Sequence, residues 1–331
     1  PSQINDLLLI ADTPVPATPV TDLVLPAAKW KMNQSPYVEV NLRTREIGAI
    51  PQTQYGAAAY VNEGFEQEER IYKPRSIKQV GVIPGNVAND MQAKEANFLN
   101  NEIARILANQ RDIVRETKEA MLCLALKGTH TYPVNTAAGV ILATQTAMQA
   151  VAAPTISLKW DASGAKFAHV DTAWRLFQDA IIAATDGVYG RNAGSLVMLV
   201  GDDVWGALVP LLTAQFGNSG TALIEPSLRN REFAWGNMRI KNISGTYRTF
   251  SGTTVSTAAK ITAKAAYMVD LAAQHQGRYC TLEDIGAGNR AMEFFAKQYE
   301  NQNPSGLNIL SETKPFVFPD TRAIAIQDVL Q

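Results

Sequence analysis

Residue types that carry catalysis or bind metals are scarce in this sequence. Its 331 residues include two cysteines, Cys123 and Cys280, and three histidines, His130, His169 and His275. Two cysteines in so long a chain exclude a disulfide framework. No histidine lies four residues from another, and none pairs with a cysteine at a spacing that zinc sites use. We therefore expect no metal site and no cofactor.

An excess of charge of one sign is also lacking. Lys and Arg number 30, Asp and Glu number 31, and the formal net charge is −1. A protein that binds nucleic acid regardless of sequence needs clustered Lys and Arg to displace counterions from phosphates, and no such cluster is present. We expect no tight, direct binding to DNA. The low share of charged residues, 18% beside 46% hydrophobic, suits a protein that buries extra surface against partners.

Long apolar runs and a basic leader are missing as well. The longest apolar runs, such as Leu196–Val200, are far shorter than the ~20 residues that span a bilayer. Leu7–Ile10 is not preceded by the basic region of a signal peptide. We therefore expect a protein that does not associate with membranes and is not secreted by that route.

Motifs of enzyme active sites are absent or isolated. The sequence has no G-x-S-x-G elbow and no Walker-type phosphate loop. The stretch Gly286–Ala291 fits the loose G-x-G-x-x-A pattern, but polar residues precede it where a dinucleotide site needs a buried strand, so we interpret it as a turn. Asp202 and Asp203 are interpreted as a helix cap rather than a metal site.

The first 35 residues combine prolines with apolar side chains. Pro14, Pro16, Pro19 and Pro26 prevent a long helix and remove backbone donors. The segment is nonetheless too apolar to be a solvated, disordered tail. We predict an extended arm, residues 1–35, that lies on other protein surface; a poorly ordered terminus is the alternative.

Residues 36–83 indicate a long β-hairpin. Val38, Val40 and Leu42 alternate with polar residues, which is the period of a half-exposed strand. We place the returning strand at Ile77–Val82 and a charged distal part between the two strands. An isolated two-stranded ribbon is marginally stable in water, so it must lean on its own domain or on a neighbouring subunit. The charged candidates for such a contact are Glu63, Glu66, Glu68, Glu69, Arg70, Lys73 and Arg75.

Residues 86–127 are predicted to form one long amphipathic helix. No proline lies between Pro84 and Pro133, and Gly128 is a good stop signal. Apolar residues recur at the spacing of a single helical stripe, which indicates a spine with one side on a sheet and the other in water. The charged residues placed between them are Glu95, Glu102, Arg105, Arg111, Arg115, Lys118 and Glu119. Two shorter helices with a break near Asn109–Arg111 are the alternative.

The remaining chain alternates between strands and helices. Residues 129–160 suggest short strands and a loop. A compact α/β unit follows, with helices over Phe167–Ile181 and Val204–Phe216 and strands at Leu196–Val200, Met238–Ile243 and Ala266–Asp270. The C-terminal strand candidates are Arg290–Lys297, Leu307–Ser311, Phe316–Phe318 and Ala323–Val329, while Arg290–Asn301 could instead be a helix.

This order of elements resembles the major capsid proteins of tailed phages, and local stretches point to the branch typified by the phage lambda capsid protein. Tyr72-Lys73-Pro74-Arg75 leads towards the long helix, and Leu126-Lys127-Gly128 ends it, as in that branch. Three C-terminal stretches add to the likeness: Arg278-Tyr279-Cys280 with Glu283-Asp284, then Ala291–Asn301, then Ser311–Pro319 continuing to Val329. The resemblance covers residues from about 20 to about 330 and is weakest over 165–270.

The resemblance implies an α+β fold of the Hong Kong 97 type and a function without enzymatic activity. The implied parts are an N-terminal arm (1–35), an extended loop (36–83), a peripheral domain (84–164 and 271–331, with the spine helix 86–127) and an axial domain (165–270). Hexamers and pentamers of this major capsid protein would close an icosahedral shell around double-stranded DNA without sequence-specific binding.

The resemblance also implies partners and a location. Relatives assemble as a procapsid with a scaffold and a portal, expand as DNA is packaged, and in the lambda branch accept a small cementing protein. We therefore expect assembly in the host cytoplasm and a final place in the virion, with the charged loop residues contacting the adjacent subunit. The alternatives are an encapsulin-like cellular compartment of the same fold and an α/β enzyme without a recognisable motif.

Overall fold

The computed structural model describes residues 17–45, 65–94, 96–136, 139–146, 150–216, 230–251, 254–302 and 305–331. Within them, the α-helices are α1 (Pro19–Val24), α2 (Gly85–Lys94), α3 (Ala96–Ala125), α4 (Phe167–Ala184) and α5 (Asp202–Phe216). The strands are β1 (Trp30–Met32), β2 (Val38–Arg45), β3 (Phe65–Tyr72), β4 (Ile77–Pro84), β5 (Thr129–Thr136), β6 (Gly139–Thr146), β7 (Leu196–Val200), β8 (Glu232–Trp235), β9 (Met238–Asn242), β10 (Thr246–Ser251), β11 (Thr254–Ala259), β12 (Ala265–Asp270), β13 (Gln276–Tyr279), β14 (Phe295–Gln302), β15 (Ser305–Thr313), β16 (Pro315–Phe318) and β17 (Ile324–Asp328).

The fold is mixed α+β, as predicted, and its largest described sheet, the middle sheet, has the strand order β17-β12-β7-β9-β8. Both faces of its central strand are covered. Leu196 and Met198 of β7 share a core with Phe177 of α4 and Leu208 of α5, whereas Leu199 faces the core that includes the end of α3. A strand buried on both faces is a continuous apolar run, which is why the sequence predicted β7 correctly.

The α/β unit predicted for the middle region is confirmed, with one addition. The helices over Phe167–Ile181 and Val204–Phe216 and the strands at Met238–Ile243 and Ala266–Asp270 are present within one or two residues of most predicted limits. The last strand, β17, pairs antiparallel with β12 and so completes the middle sheet from the far end of the chain. The range 165–270 therefore shares its sheet with a C-terminal strand.

The long helix is also confirmed, as α2 and α3 on either side of residue 95, which lies outside the described residues. Helix α3 alone has 30 residues, about 45 Å at 1.5 Å per residue. It runs through Asn109–Arg111 without interruption, so the alternative of a break there is wrong. Gly128, with φ of 84°, follows the end of the helix in a left-handed conformation that favours glycine.

The hairpin differs from its prediction in its second strand. The partner of β2 is β3, with Val38 opposite Tyr72 and Leu42 opposite Glu68. Strand β4, which was expected to return the hairpin, pairs instead with β15 in a sheet of the order β14-β15-β4. The prediction failed because glutamate is depleted in strands, so the sequence of β3 was taken for a loop.

The described part of the predicted arm packs on its own subunit. Val20, Val24 and Leu25 are fully buried against α3 and the middle sheet, and β1 pairs in parallel with β13. The expectation that residues 1–35 lie on other protein surface is therefore wrong for Pro19–Met32, because its helix is buried within the chain and its strand pairs with β13. Residues 1–16 lie outside the described residues.

The C-terminal region is β, as predicted. Strands β15, β16 and β17 match their predicted positions. Strand β14 covers Phe295–Gln302, later than the predicted Arg290–Lys297, and the helical alternative for Arg290–Asn301 is wrong. Strand β14 pairs with β15 along its whole length, and this tertiary partner decides between strand and helix.

Candidate assembly interface

The hairpin formed by β2 and β3 is fastened to the body of the subunit at its root. Val38 and Tyr72, which face each other across the strands, are 5% and 1% exposed. Both pack with Phe316 in a small cluster, and the ring of Tyr72 lies 5.2 Å from that of Phe316 and 6.0 Å from that of Phe318. Edge-on and tilted aromatic pairs at these distances are favourable. The hairpin is therefore attached to the body of the subunit through an apolar root.

A polar cleft of about 190 Å³ separates the next residues of β2 from the body of the subunit. The hairpin contributes Glu39 and Asn41 to its lining, and the body contributes Arg278, Asp320 and Arg322. The Asp320 carboxylate is held by the Arg322 guanidinium at 2.9 Å, which also raises the pKa of Arg322. Past the apolar root, the hairpin thus stands over a water-accessible gap.

The predicted contact residues that the structure describes lie on β3 or in the segment that follows it. Glu69 lies opposite Asn41 and is exposed, and Arg70 lies opposite Val40 and is half-buried. Lys73 and Arg75 follow the strand and are exposed, with the Lys73 ammonium 5.6 Å from the centre of the Tyr37 ring. Glu66 and Glu68 belong to β3, but their side chains lie outside the described parts, as does the whole of Glu63.

The prediction that all the charged residues of α3 lie on its solvent-exposed side is wrong for two of them. Lys118 is 9% exposed and Glu119 is 1% exposed. Lys118 donates to the Tyr279 hydroxyl at 2.9 Å and lies 3.4 Å from the Glu293 carboxylate; burial lowers its pKa. Glu119 lies three residues before the buried Leu122 and therefore on the same side of α3, but Lys260, the partner with which it is buried, is remote in the sequence.

A second exposed surface lies on the β14-β15-β4 sheet. Val80 and Val82 of β4 are 50% and 59% exposed, and Tyr299 of β14 is 42% exposed. Between Val82 and Tyr299 stands Asn308, which is buried and whose side-chain oxygen has no hydrogen-bond partner among the described residues. An apolar strand face with an unsatisfied polar atom is suited to contact another protein.

The candidate enzyme features have structural roles in the described chain. Residues Ile285–Ala287 form a short 3-10 turn and Gly288 has φ of 62°, which confirms the turn interpretation. Asp202 and Asp203 occupy the first turn of α5. Across the described ranges, no cluster of three or more His, Cys, Asp or Glu side chains could hold a metal ion. None of the described helices is both long and apolar enough to cross a bilayer.

Solved structures similar to this chain are shell subunits. The putative capsid protein of an Escherichia coli CFT073 prophage matches with a TM-score of 0.59 at 14% identity, over 99% of this chain and 98% of that one. The cyanophage A-1(L) capsid matches with 0.58 at 13%, over 97% and 94%, and the capsid of an empty GTA particle with 0.53 at 10%, over 96% and 92%. At these identities the likeness shows the fold, which is the Hong Kong 97-type capsid fold.

A match to a family model identifies the family of the sequence. The family described as phage major capsid protein E matches residues 9–327, and the chain belongs to this family. The protein is therefore a subunit that associates with copies of itself into the head shell of a tailed phage, and it is a structural protein rather than an enzyme. The match gives no support to a cellular compartment or a metabolic enzyme. No curated protein matches the chain.

Proposed function

We propose that the hairpin of β2 and β3 carries a major contact between adjacent subunits of an icosahedral shell that encloses double-stranded DNA. The observation behind this proposal is that the described hairpin is a two-stranded sheet of its own, fastened to the subunit by its root. A ribbon of two strands has too little buried surface to be stable in water. A neighbouring copy would supply the missing surface.

The contact would use charges of both signs. The described members, Glu69, Arg70, Lys73 and Arg75, include an exposed carboxylate and two exposed cations. Each surface ion pair is worth only about 0.2–1 kcal/mol, but a subunit held by several neighbours gains effective concentration at each further contact. The complete proposed set is Glu63, Glu66, Glu68, Glu69, Arg70, Lys73 and Arg75.

The parts of the chain would have separate places in the shell. Residues 165–270, as the axial domain, would meet their copies around five-fold and six-fold axes. The core between the middle sheet, α4 and α5 supports treating them as one unit, to which Trp160 and the C-terminal residues Ala325, Val329 and Leu330 also contribute. Residues 84–164 and 271–331 would form the peripheral domain and residues 36–83 the extended loop. Of the predicted arm, residues 1–35, only the part before Ala17 would contact a neighbour.

Further partners would act during assembly in the host cytoplasm. We include a scaffold and a portal, and a small cementing protein for which the exposed face around Val80, Val82 and Tyr299 offers apolar surface. The packaged DNA would be enclosed without sequence-specific binding, which the net charge of −1 supports.

Removing the described charges of the hairpin tests the proposal. In the triple variant Glu69→Gln, Lys73→Gln, Arg75→Gln, these exposed positions should leave the subunit folded, as judged by circular dichroism. Closed particles, counted by negative-stain electron microscopy after sedimentation, should fall at least tenfold, because several weak contacts are lost in every subunit.

The matched control removes an exposed ion pair elsewhere. Asp171 and Arg175 of α4 form a contact of 2.7 Å on the surface, and the variant Asp171→Asn, Arg175→Gln should assemble as the unchanged chain does. A normal number of closed particles from the triple variant would refute the role of the hairpin charges.

A further inference from the structure

A buried ion pair holds the start of the described chain against the spine helix. The Glu119 carboxylate of α3 accepts hydrogen bonds from the N–H of Val20 at 3.1 Å, from the N–H of Thr21 at 2.8 Å and from the Thr21 hydroxyl at 2.7 Å. Lys260, which follows β11, lies 3.3 Å from Glu119 and donates to the carbonyl of Ala17 at 2.7 Å. We call Glu119 and Lys260 the arm clamp.

Both members of the arm clamp are charged and buried, which is an unusual place for charged side chains. The side chains of Glu119 and Lys260 are 1% and 9% exposed. Removing two charges from water is costly, and apolar residues of similar size often stabilise a core as well or better. What apolar packing does not supply is a defined register, because Val20 and Val24 could slide along the apolar stripe of α3. The hydrogen bonds to Val20, Thr21 and Ala17 fix that register.

We propose that Glu119 and Lys260 are positioning residues for shell assembly, because they fix the position of Ala17, from which the preceding residues start. The proposal rests on the proposed role of residues 1–16 as an arm that contacts a neighbouring copy. The residues before Ala17 are joined to the described subunit through Ala17. A displaced starting point would therefore carry the arm away from its place on the neighbour.

Three variants separate positioning from stability. Glu119→Gln leaves the Lys260 charge buried without its partner, and Lys260→Met does the same to Glu119, so each should destabilise the subunit. The double variant Glu119→Gln, Lys260→Met has no unpaired buried charge and should recover most of the thermal stability. It still lacks the donor to the Ala17 carbonyl. We expect its yield of closed particles to stay at least tenfold below that of the unchanged chain.

Trypsin reports directly on the position of the segment. Lys29 is the first tryptic site of the chain, and its ammonium donates to the carbonyl of Leu271 at 2.9 Å when the segment is docked. Cleavage after Lys29 in the full chain, followed by mass spectrometry, should be at least tenfold faster in the double variant. A role in stability alone predicts that cleavage and particle yield recover together with the melting temperature, and that result would overturn the proposal.

A milder variant covers the case in which the double variant fails to fold. Thr21→Val keeps the shape of the side chain and deletes one 2.7 Å hydrogen bond to Glu119; cleavage after Lys29 should be two- to fivefold faster and particle yield lower. Faster cleavage with a normal yield would refute positioning, and unchanged cleavage would refute the arm clamp.

Two controls keep this test independent of the hairpin. Glu102→Gln removes an exposed ion pair with Arg105 on the same helix and should change neither cleavage nor yield. The hairpin triple variant should cleave after Lys29 at the rate of the unchanged chain. Normal particles from that variant would refute the hairpin contact and leave the arm clamp standing.

Discussion

The middle sheet and the β2–β3 hairpin differ in what covers their strands. Every residue of β7 and β12 is buried, with helices on one side and the spine core on the other. On the hairpin, Val38 and Tyr72 are buried at the root, whereas Ile71, the residue before Tyr72 on β3, is 55% exposed. The subunit thus completes one sheet by itself, whereas the other is the one that we propose a neighbour covers.

This difference separates two sources of stability. Burial of apolar area contributes about 25 cal/mol per Å², and the middle sheet obtains it within one chain. Among the described residues the hairpin obtains it at its root, and under the proposed function the rest of the ribbon would depend on the concentration and arrangement of other subunits. Substitutions in the two regions should therefore have different measurable consequences.

The largest effect is expected in the middle core. Phe177 of α4 is fully buried beneath the middle sheet, and Phe177→Ala should lower the free energy of unfolding by about 3–5 kcal/mol, because it leaves a cavity that the sheet cannot fill. Denaturant unfolding of the subunit measures this loss. A loss below about 1 kcal/mol would mean that this core does not stabilise the isolated subunit.

A pH-dependent effect of intermediate size is expected at the junction of the two regions. His275 is 2% exposed; its Nδ1 accepts from the N–H of Asp320 at 3.1 Å, so its Nε2 carries the proton and donates to the Asp270 carbonyl at 2.9 Å. Burial lowers the pKa of His275 from 6.5 to about 4. The neutral ring joins the end of β12 to the segment that leads from β16 to β17.

The sign of the pH effect follows from this lowered pKa. His275 is protonated below pH 6.5 in the unfolded chain but only near pH 4 in the folded chain. Its contribution to the free energy of unfolding is therefore constant above pH 6.5 and falls as the pH falls towards 4. The slope is about 1.4 kcal/mol per pH unit and the total about 3 kcal/mol. The free energy of unfolding, measured from pH 7.5 to pH 4.5, should fall less steeply with pH in His275→Gln, by the slope that one bound proton contributes. Equal slopes in the variant and the unchanged chain would contradict the prediction.

The smallest effect on the subunit is expected at the hairpin root. Val38→Ala removes two buried carbon atoms, worth about 1.5–2 kcal/mol at ~0.8 kcal/mol each, from a cluster that anchors the hairpin alone. Hydrogen exchange of β2 and β3 should therefore become roughly tenfold faster while global unfolding changes little. Equal changes in both measurements would show that the hairpin and the middle sheet unfold as one unit, which would remove the contrast between them.

Several elements could be predicted because their signal is local. The apolar run of β7 and the stripes of α3 and α4 identify strand and helices from periodicity alone. Among the contact residues, Lys73 and Arg75 are exposed, as their charge suggested, but their contact with a neighbouring subunit stays a prediction.

The errors share one cause, which is pairing between distant parts of the chain. The sequence of β3 is rich in glutamate and was taken for a loop, but it forms a strand because β2 supplies its partner. Strand β4 was assigned to the hairpin, but β15, more than 200 residues later, pairs with it. Lys118 and Glu119 were placed in water because their partners, Tyr279 and Lys260, are equally remote.

The amino-acid sequence by itself determined the helical spine, the buried strands of the middle region and the family, because periodicity and local motifs depend on neighbouring residues. Tertiary structure alone decided which strand completes the hairpin, where the chain start is clamped and which charges are buried. These depend on the free energy of contacts between remote segments, and no local pattern records that energy.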